Sequence, residues 1–203
     1  MTEAFFQQGA QEVDELLAHT GVSVQPGDRL LEIGCGAGRM TRRLAEIAGE
    51  VVALDVSPEM LKLARENLAG VPNVEFVLGS GQDLRQLPGG SVDVVFSYVT
   101  LQHVPTGDAQ LNYLRETCRV LRPGGRAALQ VRGPGVRPAL LDLAGQVGRA
   151  LRGRQTLRRE WRGVRLRRAD ILRAVQDLDV SVDLRMRGSR HLWVVLRRGR
   201  TSS

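Results

Sequence analysis

Cysteine is scarce in this 203-residue chain, and the two present, Cys35 and Cys118, show neither CxxC nor Cys/His ligand spacing. That excludes a disulfide framework and indicates no metal site. No apolar run approaches the roughly 20 residues that a membrane span requires. The start of the chain, MTEAFFQQGAQEVDE, lacks the charged opening, apolar middle and small-residue cleavage site of a signal peptide, so a cytoplasmic location is expected. Lysine is almost missing: Lys62 stands alone among 29 basic residues. Such an arginine skew reflects a GC-rich coding sequence as readily as selection for a binding surface. Disorder and fibrous structure are both excluded by 42% apolar and 25% charged residues, and the length suits one domain over 1–203 with a core that needs no staples.

The elements alternate. Apolar spacing over Glu12–Ala18 predicts a helix ending near Gly21, within an N-terminal segment 1–25. Strands are predicted at Arg29–Ile33, Val51–Asp55, Val74–Leu78, Val92–Tyr98 and Arg126–Val131. Helices fall between them at 38–48, at 57–68 with Met60, Leu61 and Ala64 buried, and at 109–121, stopped by Arg122-Pro123-Gly124-Gly125. A helix at 169–178 and a hairpin of Val180–Met186 with Leu192–Leu196 complete a C-terminal segment, 169–198. Mostly apolar strands alternating with helices imply an α/β fold: a Rossmann-like, doubly wound, seven-stranded sheet, mostly parallel, with an antiparallel C-terminal hairpin. Ligands of such a sheet bind at the carboxyl ends of its strands. No internal repeat is visible.

The first strand runs into Leu31-Glu32-Ile33-Gly34-Cys35-Gly36-Ala37-Gly38-Arg39 and then a helix. Glycines at alternate positions let the main chain turn tightly and let a ligand approach bare backbone at a helix start. The spacing GxGxG is neither the GxGxxG of dinucleotide sites nor a phosphate-binding P-loop, which needs Lys and Ser/Thr. Asp55 ends the second strand, where a carboxylate can accept from both hydroxyls of a ribose. Its alternative role is to cap the helix beginning Ser57-Pro58-Glu59. Beside the glycine loop, the combination points to a nucleoside-containing cofactor.

These residues resemble the class I S-adenosylmethionine-dependent methyltransferases of small-molecule type. The resemblance is carried by LEIGCGAGR (31–39), VVALDVSPEMLKLAREN (51–67), GSGQDL (79–84), SVDVVFSYVTLQHVP (91–105) and RVLRPGGRAALQV (119–131), and FFQQGAQEVDELL is similar to the family's leader helix. It implies S-adenosyl-L-methionine as cofactor. Glu32 would orient the methionine amino group, Gly34, Gly36 and Gly38 would pack against methionine and ribose, and Asp55 would bind the ribose. Val56 and Met60 would wall the adenine. Many members carry an acid after the third strand that reads the adenine amino group, followed by a backbone N–H to the ring. Here those positions are Ser80 and Gly81, a departure that leaves a weaker hydroxyl contact or passes the task to Asp83.

Methyl transfer from a sulfonium is an in-line displacement, so alignment and exclusion of water matter most, and a base helps only where the nucleophile carries a proton. His103, just past the fourth strand, is the candidate base; its alternative role is to shape the loop through backbone hydrogen bonds. Ser97, Tyr98 and Gln102 are further pocket candidates. The Asn/Asp-Pro-Pro-Tyr/Phe motif of amino-directed nucleic-acid methyltransferases is absent, its place taken by Ser97-Tyr98-Val99-Thr100.

Residues 133–165 form a predicted insertion, read as a lid over the acceptor, with Trp161 and Arg162 as candidate substrate contacts. Nine arginines face only Glu160 across 149–168, a net +8 against +7 for the whole chain, so the remainder is nearly neutral. The expected acceptor is an O or N nucleophile of a small molecule, with a carboxylate or phosphate that such guanidinium groups could clamp. RNA held by the same cluster is the second reading, with one aromatic to stack on bases and no appended RNA-binding module. A non-catalytic, cofactor-binding regulator is a third.

Overall fold

A computed structural model describes residues 1–133, 164–188 and 191–200. Helix α1 spans Glu3–Thr20, β1 Arg29–Ile33, α2 Thr41–Ile47, β2 Glu50–Asp55, α3 Pro58–Asn67 and β3 Val74–Leu78. Then follow β4 Val92–Ser97, a 3-10 turn Leu101–His103, α4 Gly107–Val120, β5 Leu121–Arg132, α5 Arg168–Val175, β6 Val180–Arg187 and β7 His191–Arg198. The seven strands lie in the order β3-β2-β1-β4-β5-β7-β6. Pairing is parallel from β3 across to β5, while β7 runs antiparallel to both β5 and β6. The expected α/β sheet with its antiparallel C-terminal hairpin is therefore present. Reversal of strand order at β1/β4 opens the crevice where ligands of doubly wound sheets bind.

Alternate residues of the central strands feed two cores. Leu30, Val51, Val94 and Phe96 meet Val13 and Leu16 of α1 and Leu44 of α2 on one face. Leu31, Ile33, Leu54 and Val95 meet Tyr113 and Leu114 of α4 and Ile171 of α5 on the other. Each fully buried aliphatic chain contributes roughly 1.5–3 kcal/mol of transfer free energy.

Three element starts and one burial differ from the sequence expectation for identifiable local reasons. Helix α1 begins at Glu3, because Phe6 and Gly9 extend the buried stripe of Val13, Leu16 and Thr20. Gly9, which looks like a helix breaker, is a contact: a Cβ there would lie 2.3 Å from the Arg39 carbonyl oxygen. Helix α2 starts at Thr41 rather than 38, since Gly38 holds φ +85°, a left-handed value no helix contains. Strand β5 begins at Leu121, paired with Val92, and Arg122-Pro123-Gly124-Gly125 bulges out before pairing resumes at Val94–Arg126. Met60, expected in the core, is exposed, because the inward stripe of α3 is Leu61 and Ala64 and position 60 falls on its rim.

The predicted helix in 133–165, Trp161 and Arg162 lie outside the described residues apart from 133 and 164–165. Of the arginine-rich stretch 149–168, only 164–168 is described. No helix among the described residues is long and apolar enough to cross a membrane.

Candidate functional site

The carboxyl ends of β1, β2 and β4 surround a cavity of about 580 Å³. Ile33 and Gly34 supply one wall, Leu54, Asp55 and Val56 a second, and Ser80 with Gly81 an end. The opposite wall is Val99, Thr100, Leu101, His103, Val104 and Pro105, and Tyr113 reaches in from α4.

The glycine loop is fixed from below. Leu54 O accepts from the N–H groups of Gly34 and Cys35 at 2.7 and 3.0 Å, turning the chain away from the sheet. Asp55 anchors the loop's crest: Oδ2 accepts from the Gly36 N–H at 2.8 Å and Oδ1 from the Ser57 N–H at 2.9 Å. One carboxylate thus ties the loop to the start of α3, and each oxygen retains a second lone-pair site. Gly36, at φ +53°, has open space where a side chain would stand, while Gly38 is pressed against Leu68. Gly36 therefore leaves main chain bare for a ligand, whereas Gly38 serves packing.

Glu32 sits below the loop, 4% exposed, and its Oε2 accepts from Thr41 Oγ at 2.6 Å. Burial pushes its pKa up to about 7; the Thr41 hydrogen bond opposes that rise and the Asp55 charge adds to it. Cys35, buried beside these acids, has its thiol pushed far up for the same reason, desolvation first, and is an inert packing group.

At the far end Ser80 is spent on its own turn. Its Oγ donates to Asp83 Oδ1 at 2.9 Å and accepts from the N–H groups of Gln82 and Asp83 at 3.2 and 3.1 Å. Asp83 faces a different, solvent-open groove with Arg85 and Glu116, and the Arg85 guanidinium holds its pKa below the usual carboxylate range. Asp83, the alternative to position 80, is not among the residues lining the cavity.

Of the residues singled out from sequence, Gly34, Asp55, Val56, Ser80, Gly81 and His103 meet in this cavity. Glu32, Gly36 and Gly38 form its support. Met60 stays outside. Ser97 is fully buried and donates to Ile33 O at 3.1 Å, so it braces β4 against β1. Tyr98 points to the other face of the sheet, its ring stacked on Trp193 with centroids 6.0 Å apart. Gln102 lies beside His103, Nε2 to Nε2 at 3.2 Å, and is outside the cavity lining. His103 occupies the exposed last position of the 3-10 turn, at the cavity's open side.

Two lining residues escape sequence reading. Val99 holds φ 55°, rare for a β-branched residue, with its N–H donating to the buried Gln130 Oε1 at 2.8 Å. No sequence signal marks it, since the strain arises from tertiary pairing. Tyr113 lies within the helix predicted at 109–121 and was not singled out there, since only the fold brings its ring to the cavity.

Residues 31–129 match a family model described as a methyltransferase domain. A ubiquinone biosynthesis O-methyltransferase of Xanthomonas oryzae is 36% identical over 104 residues, which is 51% of this chain and 42% of that protein. The chain thus spans less than half the length of this curated relative. Among solved structures, a SAM-dependent methyltransferase of Methanosarcina mazei superposes with TM-score 0.66 at 18% identity over 87% of this chain and 95% of the other. The [4+2]-cyclase SpnF superposes with TM-score 0.68 at 15% identity, over 94% and 81%. These two likenesses concern the fold.

Proposed function

We propose that the chain is a class I S-adenosylmethionine-dependent methyltransferase, a reading supported by the methyltransferase-domain match over residues 31–129, and that it methylates an oxygen nucleophile of a small molecule. The observation carrying the cofactor assignment is Asp55, bonded at once to the Gly36 and Ser57 N–H groups, with unused lone pairs toward a cavity at the crevice. The donor set fits the cofactor: a strand-end acid for the ribose, bare backbone at Gly36 beside it, and Val56 and Leu101 as apolar walls for a base. When bound, S-adenosylmethionine supplies an electrophilic methyl group on a sulfonium. The chain has to hold that group and its acceptor in line and keep bulk water away.

His103 is the proposed base. It is an exposed residue of the cavity lining, and an imidazole there can take a proton from a hydroxyl acceptor. Val104 and Pro105 beside it give an apolar rim. The curated relatives' name supports oxygen as the nucleophile, and the +8 of residues 149–168 supports an anionic acceptor.

Calorimetry with S-adenosylhomocysteine tests the cofactor assignment, and micromolar binding is expected; no binding rejects it. Methyl-labelled cofactor incubated with a small-molecule extract should yield a labelled O-methylated product by mass spectrometry. His103→Ala should lower turnover at least tenfold while leaving S-adenosylhomocysteine affinity unchanged, and equal turnover removes His103 as the base.

A further inference from the structure

Five polar side chains line the cavity: Asp55, Ser80, Thr100, His103 and Tyr113. Asp55 serves the glycine loop and the ribose position, Ser80 is engaged with its own turn, and Thr100 Oγ donates to Tyr98 O at 3.1 Å. His103 is exposed at the rim. Tyr113 differs from all of them: its ring is packed in the core, it lines the cavity, and none of the described residues hydrogen-bonds its hydroxyl. Its hydroxyl is not among the buried polar atoms that lack a partner, so it opens on the cavity, where a ligand can reach it.

The position of α4 decides which part of a ligand that is. Asn112 Nδ2 donates to Gln82 O at 2.9 Å, and Glu116 Oε2 accepts from the Leu84 N–H at 3.2 Å. These bonds clamp the helix, on either side of Tyr113, to the loop that continues from Ser80 and Gly81. Tyr113 thus enters at the Ser80 end, on the far side of Asp55 from the glycine loop. With the ribose at Asp55, a purine would reach toward this end of a cavity whose apolar lining includes Val56 and Leu101. Burial raises the phenol's pKa to about 12, with smaller contributions from Asp83 and Asp55, so it stays neutral and its oxygen can accept a hydrogen bond.

We propose that the Tyr113 hydroxyl accepts a hydrogen bond from the exocyclic amino group of the cofactor's adenine, supplying from α4 the side-chain contact that Ser80 cannot make. This rests on the cavity being an S-adenosylmethionine site. It identifies a specificity-determining residue on a helix outside the segments that carry the glycine loop and the ribose acid.

The test compares S-adenosylhomocysteine with its analogue bearing hydrogen in place of the 6-amino group, by calorimetry on the full chain. Wild type should bind the parent about threefold to tenfold more tightly, the worth of one neutral hydrogen bond. Tyr113→Phe should lose that preference by weakening only the parent, and its ligand-free melting temperature should match or exceed wild type, because no protein hydrogen bond is lost. Equal binding of the two ligands by wild type overturns the proposal without any variant. So does a Tyr113→Phe variant that keeps the preference, or that impairs acceptor turnover alone. Failure of wild type to bind S-adenosylhomocysteine at all would instead overturn the underlying cofactor assignment, and this proposal with it.

Discussion

Asp55 carries two backbone hydrogen bonds that hold the glycine loop against α3, so its removal strikes geometry and ligand together. Asp55→Ala should weaken S-adenosylhomocysteine about tenfold or more, as expected for hydrogen bonds to a charged group, measured by calorimetry. Glu32 makes a separate, pH-dependent prediction. Its folded pKa, about 7, lies above its ordinary value of 4.5, so its contribution to stability is full below pH 4.5 and is lost as pH rises through 7. The loss amounts to about 3 kcal/mol by linkage, and Glu32→Gln should flatten the urea-unfolding free energy across that window relative to wild type. Val99 stores strain at φ 55° on the cavity wall and is half-exposed, so little packing is at stake. Val99→Gly should stabilise the chain by about 1 kcal/mol, read as a rise of a few degrees in melting temperature. Asp55 and the glycine loop were legible in the sequence because their chemistry depends on residue type at a strand end. Tyr113 and Val99 were not, because one depends on which neighbours leave a hydroxyl unpaired and the other on a bond to Gln130, 31 positions away.

Among the elements, α1 shows how a poor local former becomes a contact. Gly9 lets the helix lie on the Arg39 carbonyl, and Glu12 then pairs with Arg39 Nη2 at 2.7 Å, so α1 braces the residue that closes the glycine loop. Gly9→Ala is expected to cost about 1–3 kcal/mol despite alanine's better helix propensity, because backbone rather than a flexible tip stands in the way. Urea unfolding checks this, and a stabilised Gly9→Ala variant would show that the close approach is not obligatory. Strand positions were readable to within one or two residues from apolar runs, save for β5, whose early start depends on a bulge opposite β4. Helix starts were read less well: Gly9 argues locally for a break that packing overrides, and Gly38 delays α2 through a backbone sign that periodicity does not carry.

Across the whole molecule, charge is distributed unevenly, with residues 149–168 carrying +8 and the rest of the chain a net −1. Concentrated arginine binds polyanions weakly and without selectivity unless an interface is built around it. Bulk tRNA should therefore be retained at low ionic strength and released by about 0.2 M salt in filter-binding assays, whereas a saturable, salt-resistant complex would make RNA the acceptor class. The sheet order has a different consequence, for solubility. Of the described strands, β3 and β6 stand at the edges, each presenting unpaired backbone donors and acceptors that another chain could extend. Glu75 on β3 and Asp183, Arg185 and Arg187 on β6 place charges along both borders, and Arg185 is tied back to His19 O at 2.9 Å on the α1 side. An incoming strand would have to strip those charges of water to dock, so both borders are guarded against edge-to-edge aggregation. Neutralising β6 with Arg185→Val and Arg187→Val would remove that protection on the side away from the cavity.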